Sequence, residues 1–364
     1  MQAVCVSSAR RVHLTAIGGT GMGALAGLLA ESGCEVRGSD RAAIYPPMSD
    51  QLAALGIPAA VGFAEENLDW GPDLLVLGNT CRADNLEYLA ALSRGLPVRS
   101  FPQLLGERFL AGRWPIVVAG THGKTTTSSL AAHVLAHAGR DPGYLIGGVP
   151  LNFGRSFAAG APPFFVVEGD EYDSACFDKQ PKFIHYRPRS AILTGVEFDH
   201  ADIFADLDAV ERAFARFIDL LPADGHLIVG ADSPVALRLA EEAACPVTRY
   251  RALPADAGVP AGAPQWVGRY APLGRGRQQL VIAHPDGELP PMELPLTGAH
   301  NMGNCVAVAA VATAVGLDPD EIAAGLQSFA GVKRRQELRG IVGGVAVVED
   351  FAHHPTAVQQ TLAG

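Results

Sequence analysis

Trp114-Pro-Ile-Val-Val-Ala-Gly-Thr-His-Gly-Lys-Thr-Thr126 decides the fold. Its first half is a short apolar run, as a buried parallel strand reads. Its second half sets two glycines, a lysine and threonines ahead of a helical pattern from Lys124 to about His137. Glycines let successive backbone N–H groups converge on anionic oxygens, and the helix N-terminus adds partial positive charge. Lys124 then neutralises the β- and γ-phosphate oxygens, and the Thr125 hydroxyl is placed to ligate Mg²⁺. Gly120, Thr121, His122, Gly123, Lys124, Thr125 and Thr126 are thus the predicted cradle for the phosphates of ATP. The spacing departs from the common G-x-x-x-x-G-K-[ST], because position 118 is valine. An ordinary helix start with a surface lysine would leave both glycines and the three threonines unexplained.

Downstream, Phe164-Phe-Val-Val-Glu168 reads as a strand ending in an acid, and Ala191-Ile-Leu-Thr194 as one leading to Glu197-Phe-Asp-His200. A divalent cation beside a triphosphate needs hard ligands, and the carboxyl ends of strands in a doubly wound sheet converge on one crevice. Glu168 and His200 are the predicted metal ligands beside Thr125. Asp170, Glu171, Asp173 and Asp199 stand either near that crevice or in solvent. Helices are expected at Leu207–Leu221 and Pro234–Ala244, strands at His226–Val229 and Pro246–Thr248. Gln265–Leu296 suggests an antiparallel excursion, followed by a helix from Asn301 to Val315.

Upstream, a strand at His13–Ile17 runs into Gly18-Gly-Thr-Gly-Met-Gly23, and a helix follows from Ala24 to Ser32. A second strand starts at Glu35 and ends at Ser39-Asp40. This βαβ unit could hold a pyrophosphate, with Asp40 where a ribose-binding acid belongs. The motif by itself allows a dinucleotide, a nucleotide-sugar or a plain tight turn. Leu74–Leu77 is another buried strand, with Asn79 and Thr80 at its end. Alternating strands and helices predict an α/β fold with mainly parallel, doubly wound sheets. The expected division is 1–112, 113–332 and 333–364. The last segment, with Lys333-Arg-Arg335 and a strand at Val345–Asp350, reads as the first βα unit of a truncated third domain.

At 364 residues and 48% hydrophobic, the chain can build several cores. A net charge of −10 without an extended Lys/Arg run argues against a nucleic-acid partner. The six cysteines form no CxxC pair and read as small buried side chains. No apolar run reaches the about 18 residues of a membrane span, and no leader is evident, so a cytoplasmic protein is expected.

Taken in order, Gly18-Gly-x-Gly-Met-Gly23, Gly38-Ser-Asp40, Gly120–Thr126, His300-Asn-Met-Gly-Asn304, Arg334-Arg335 and Asp350-Phe-Ala-His-His-Pro355 resemble the Mur ligases. His122 and the His-His-Pro run resemble the branch acting on UDP-N-acetylmuramate. Glu168-Gly-Asp-Glu-Tyr-Asp173, Phe177-Asp-Lys179 and His185-Tyr-Arg-Pro188 are similar to its recycling members, which accept the tripeptide L-Ala-γ-D-Glu-meso-diaminopimelate rather than free L-alanine. The resemblance implies a Rossmann-like first domain in which Gly18, Gly19, Gly21, Met22, Gly23 and Asp40 bind the UDP-sugar, with Asn79 and Thr80 beside them. It implies a central ATPase domain in which Asn301 contacts adenine and Arg335 supports the phosphates. Asp350 and His353 would close over the nucleotide, and Lys124, Glu168, His200 and Arg335 would carry the catalysis. The activity implied is ATP- and Mg²⁺-dependent amide formation in peptidoglycan recycling, and a truncated third domain would leave the chain inactive. Several family members carry a carbamoylated lysine in the helix after the metal-binding histidine. Asp208–Leu221 holds Arg212 and Arg216 but no lysine, so none is expected.

Overall fold

The computed structural model describes residues 6–198, 204, 206–258, 262, 264–274 and 276–363. The first sheet contains β1 (Arg11–Thr15), β2 (Glu35–Asp40), β3 (Ala59–Val61), β4 (Leu74–Leu77) and β5 (Val98–Ser100). Its order is β3-β2-β1-β4-β5, with every neighbouring pair parallel. The helices are α1 (Thr20–Glu31), α2 (Met48–Ala54), α3 (Leu86–Ser93) and α4 (Phe101–Leu105). The reversal of strand order beside β1 creates a crevice at its carboxyl end, where the glycine motif lies.

The second unit runs β6 (Trp114–Ala119), α5 (Lys124–His137), β7 (Gly143–Leu145), β8 (Phe157–Ala158), β9 (Phe164–Gly169), β10 (Asp173–Ala175), β11 (Asp178–Pro181) and β12 (Ser190–Leu193). It continues through α6 (Leu207–Ile218), β13 (His226–Gly230), α7 (Pro234–Ala240), β14 (Val247–Pro254), β15 (Trp266–Gly274), β16 (Arg277–His284), β17 (Gly287–Glu288), β18 (Met292–Leu294), α8 (Ala299–Ala314) and α9 (Pro319–Gln327). In the large sheet, β15, β14, β13, β12, β6, β9 and β7 are parallel neighbours in that order. The predicted antiparallel excursion is present as β15 to β18, although β15 itself pairs parallel with β14. The strand β6, uniformly buried from Pro115 to Ala119, lies inside this sheet between β12 and β9. The phosphate loop therefore opens between two strand ends that can supply partners.

Some local readings differ from the sequence expectation. Helix α1 starts at Thr20, inside the glycine motif, because Gly23 N already donates to Gly19 O at 2.8 Å. Helix α9 was not anticipated, yet Asp318 and Glu321 form a capping box with proline in the first turn, a readable start signal. The strand Val345–Glu349, β20, pairs antiparallel with β19 (Glu337–Val342) before α10 (Pro355–Ala363), so a hairpin replaces a simple βα start.

The two large units share one of their apolar clusters. Val12, Leu25 and Phe101 of the first pack in one apolar cluster with Val117, Phe157, Phe165 and Phe183 of the second. At the seam α1 lies against β8. A Cβ on Gly27 would sit 2.0 Å from the buried Phe157 ring. Glu31 accepts from Arg155 and from Ala159 N. Gly27→Ala should cost about 2 kcal/mol, the scale of overpacking, as read by urea unfolding. No loss would mean the seam yields.

Histidine 133 on α5 is 8% exposed, and its Nε2 lies 2.9 Å from Ser328 Oγ. Burial, with nearby His137, lowers its pKa from 6.5 to about 4. The unfolded chain thus takes up a proton below pH 6.5 that the folded chain refuses. This stabilising contribution is present above pH 6.5 and is lost as pH falls toward 4. By pH 5 the loss is about 2 kcal/mol. Urea titrations at pH 7 and 5 should show that difference shrinking in His133→Gln; an unchanged difference would refute it.

The described cysteines Cys34, Cys81, Cys176, Cys245 and Cys305 are all free, and all but Cys176 are buried. Among the described residues no helix is long and apolar enough to cross a membrane.

Candidate active site

Gly120 and Gly123 hold φ of 126° and 81°. A Cβ on Gly120 would lie 2.3 Å from Thr194 Oγ1, so both conformation and space require glycine there. The loop is pinned to the end of β12: Thr121 N donates to Gly195 O at 2.9 Å, and Thr194 Oγ1 donates to His122 O at 2.5 Å. Lys124 Nζ folds back to Gly120 O at 2.7 Å and to Glu171 Oε2 at 3.1 Å. Burial alone would lower the lysine pKa, but Glu171 and Asp170 outweigh it and raise it. Lys124 is thus a fixed cation.

Glu168, at the end of β9, accepts from Thr125 Oγ1 at 3.2 Å and Gly147 N at 2.6 Å. Burial, then Asp170, pushes its pKa up to about 7. Lys124 offsets only part of that push, and Thr125 beside Glu168 is a second hard oxygen donor. This pair fits a divalent cation in charge and donor type. Arg335 Nη2 reaches Thr125 Oγ1 at 3.3 Å from far along the chain. His200, the third predicted ligand, lies outside the described residues, as does Asp199.

A cavity of about 380 Å³ joins these groups to the first sheet. Thr20 and Gly21 line one side; Lys124, Thr125, Thr126, Glu168 and Arg335 line the other, with His353 at its edge. Across the loop, a second cavity of about 390 Å³ is lined by Gly123, Gly195, Tyr250, His300 and Asn304. Asn301 sits in a smaller recess beside Arg335 and Asp350. Its Nδ2 donates to Thr297 O at 2.8 Å and to Gln336 Oε1 at 2.9 Å, tying α8 to the third segment. Asp350 accepts from Gln336 N and Ala352 N, and His353 Nδ1 lies 3.1 Å from Phe351 O.

In the glycine motif, Gly18 N donates to Asp40 Oδ2 at 2.8 Å, and Arg41 N donates to Oδ1 at 2.7 Å. Asp40 thus latches the loop closed. A Cβ on Gly23 would meet Met48 Sδ at 2.1 Å, whereas Gly19 has nothing nearer than 3.8 Å. Met22 is buried in the core. Asn79 and Thr80 are exposed in the turn after β4 and do not line the cavity.

Several site residues escaped the sequence reading. Glu171, which the sequence allows either near the crevice or in solvent, is 3% exposed and holds Lys124. Asp170 pairs with Lys182 at 3.1 Å and is partly buried. His354 packs on His122 with ring centroids 4.7 Å apart, and Thr356 Oγ1 donates to Glu197 Oε2 at 3.0 Å. The acid-rich run after Phe164-Phe-Val-Val was the one signal available for Asp170 and Glu171.

Comparison with known proteins agrees with this geometry. Residues 118–312 match the Mur ligase middle domain, and residues 11–112 match the Mur ligase family, catalytic domain. The chain is 41% identical over 354 residues to UDP-N-acetylmuramate–L-alanyl-γ-D-glutamyl-meso-2,6-diaminoheptandioate ligase of Escherichia coli, covering 97% of this chain and 75% of that protein. It is 38% identical to UDP-N-acetylmuramate–L-alanine ligase of Rubrobacter xylanophilus, covering 97% and 73%. The crystal structure of the UDP-N-acetylmuramate:L-alanyl-γ-D-glutamyl-meso-diaminopimelate ligase from Neisseria meningitides superposes with a TM-score of 0.79 at 39% identity, over 89% of this chain and 99% of that one. With a phosphate loop and a glycine motif opening on one cleft, and with these matches along its length, the chain belongs to the Mur ligase family.

Proposed function

We propose that this protein is an ATP-dependent ligase joining the tripeptide L-Ala-γ-D-Glu-meso-diaminopimelate to UDP-N-acetylmuramate. The observation that carries this reading is the shared cleft, lined by Gly21 of α1 in the first unit and by Lys124 and Glu168 of the second. The similarity to the E. coli ligase supports the acceptor. In this reading residues 1–112 bind the UDP-sugar, 113–332 bind ATP, and 333–364 open the segment that covers the site. Such a reaction uses cytoplasmic ATP and nucleotide sugar.

A carboxylate is a poor electrophile, so it must first gain a leaving group. The lactyl carboxylate of muramate attacks the γ-phosphorus in line, the bond to the β-phosphate oxygen breaks, and ADP leaves. The amine of the tripeptide then attacks the acyl phosphate, loses a proton, and the tetrahedral adduct expels phosphate. Gly120, Thr121, His122, Gly123, Lys124, Thr125 and Thr126 hold the phosphates, and Lys124 and Arg335 stabilise charge on the transferring group. Thr125 and Glu168 would hold Mg²⁺, which supplies further charge neutralisation when bound. Asn301, Asp350 and His353 complete the nucleotide side, while Gly18, Gly19, Gly21, Met22, Gly23 and Asp40 order the UDP-sugar loop. The contacts of His354 on His122 and Thr356 on Glu197 help exclude water from the acyl phosphate.

The test is phosphate release by the full-length protein with UDP-N-acetylmuramate, ATP, Mg²⁺ and either tripeptide or L-alanine. Turnover with tripeptide is expected. Turnover with L-alanine alone would assign the protein to L-alanine addition instead.

A further inference from the structure

Lys182 is a second, partly buried cation on the wall of the cleft, and the reaction as described leaves it without a task. It begins a short turn, Lys182–His185, that is held rigidly: Lys182 N donates to Tyr172 O at 3.1 Å and Phe183 N to Asp170 O at 3.3 Å. Its side chain is 14% exposed. Nζ lies 3.1 Å from Asp170 Oδ2, 4.3 Å from the centre of the Tyr172 ring and 5.9 Å from that of Phe101. An ammonium has three donors, and one carboxylate with two ring faces leaves hydrogen-bonding capacity for a further oxygen.

Its position says which oxygen. Phe101 bridges to the glycine motif, since a Cβ on Gly21 would be 3.6 Å from the Phe101 ring tip. Asp170 bridges to the phosphate side. Thr20, Gly21, Phe101, Lys182, Asp170 and Lys124 line the same cavity. A ligand anchored at the glycine motif and reaching toward the phosphate loop passes Lys182 on the way.

Resting on the proposed function, we infer that Lys182 binds the lactyl carboxylate of the UDP-sugar and orients it toward the γ-phosphate. Lys124, tied to Gly120 O and Glu171 on the nucleotide's own loop, is left to the phosphates. Lys182 therefore distinguishes a sugar nucleotide bearing a carboxylate from one without it.

The experiment compares UDP-N-acetylmuramate with UDP-N-acetylglucosamine, which lacks the lactyl group, by calorimetry without ATP or metal. Wild-type protein should prefer the muramate form by at least about tenfold. Lys182→Met should lose that preference while binding UDP-N-acetylglucosamine as wild type does, and Lys182→Arg should keep most of it. An equal loss for both nucleotides would mark Lys182 as merely structural and overturn the inference, as would an unchanged preference in Lys182→Met. Should Lys182→Met not fold, Lys182→Gln takes its place. The wild-type measurement also stands alone, because no preference without metal overturns the inference. Turnover of UDP-N-acetylmuramate by the wild type keeps the proposed function standing in each of those cases; absence of turnover would remove both.

Discussion

Lys124→Ala should lower kcat/KM for ATP-dependent ligation by about a thousandfold, or ~4 kcal/mol of transition-state stabilisation. The side chain is 12% exposed and tied to Gly120 O and Glu171, which fixes its charge at the phosphate loop. Its loss also leaves Glu168, Asp170 and Glu171 crowded around one cation fewer, which repels the phosphates a second time. UDP-sugar binding should persist, because the glycine motif stands on a different sheet. Phosphate release and calorimetric titration of the sugar nucleotide separate the two effects. Wild-type turnover in the variant would refute the role given to Lys124.

The largest expected loss of stability lies in the first sheet, at Glu87. This carboxylate is fully buried at the start of α3. Thr15 Oγ1, Ser39 Oγ and Asn67 Nδ2 donate to it at 2.6, 2.7 and 2.6 Å, and His13 Nε2 lies 3.3 Å away. Burial alone would raise its pKa, but the bonds from His13, Thr15 and Asn67 bring it below the usual value. Glu87→Ala strands these donors in the core and should cost about 4 kcal/mol. Glu87→Gln keeps the shape and should cost about half of that. Urea unfolding measures both, and a loss under about 1 kcal/mol in Glu87→Ala would show that water replaces the carboxylate.

These two sites differ in how far they can be read from sequence. The phosphate loop is local: strand, positive-φ glycines, lysine and helix follow one another, and α5 runs from Lys124 to His137 as expected. Its partners are not local. Glu171 is 47 residues from Lys124, and Arg335 is 210 from Thr125, so spacing along the chain carries no sign of either contact. Glu87 resembles an ordinary acid in the first turn of a helix. The clue was on β1, where His13 and Thr15 are buried polar residues that require partners. The hairpin of β19 and β20 was hidden because Gly340, Gly343 and Gly344 break the alternation that would mark it.

The Phe157 ring over Gly27 has a thermodynamic consequence. Two sheets that draw on one apolar cluster are coupled in unfolding, since unfolding either exposes apolar surface of the other. Heating should therefore give a single calorimetric transition for both, with the van't Hoff and calorimetric enthalpies equal. A sugar nucleotide held at the glycine motif would then raise the temperature at which the phosphate loop unravels, although it makes no contact with that loop's strand.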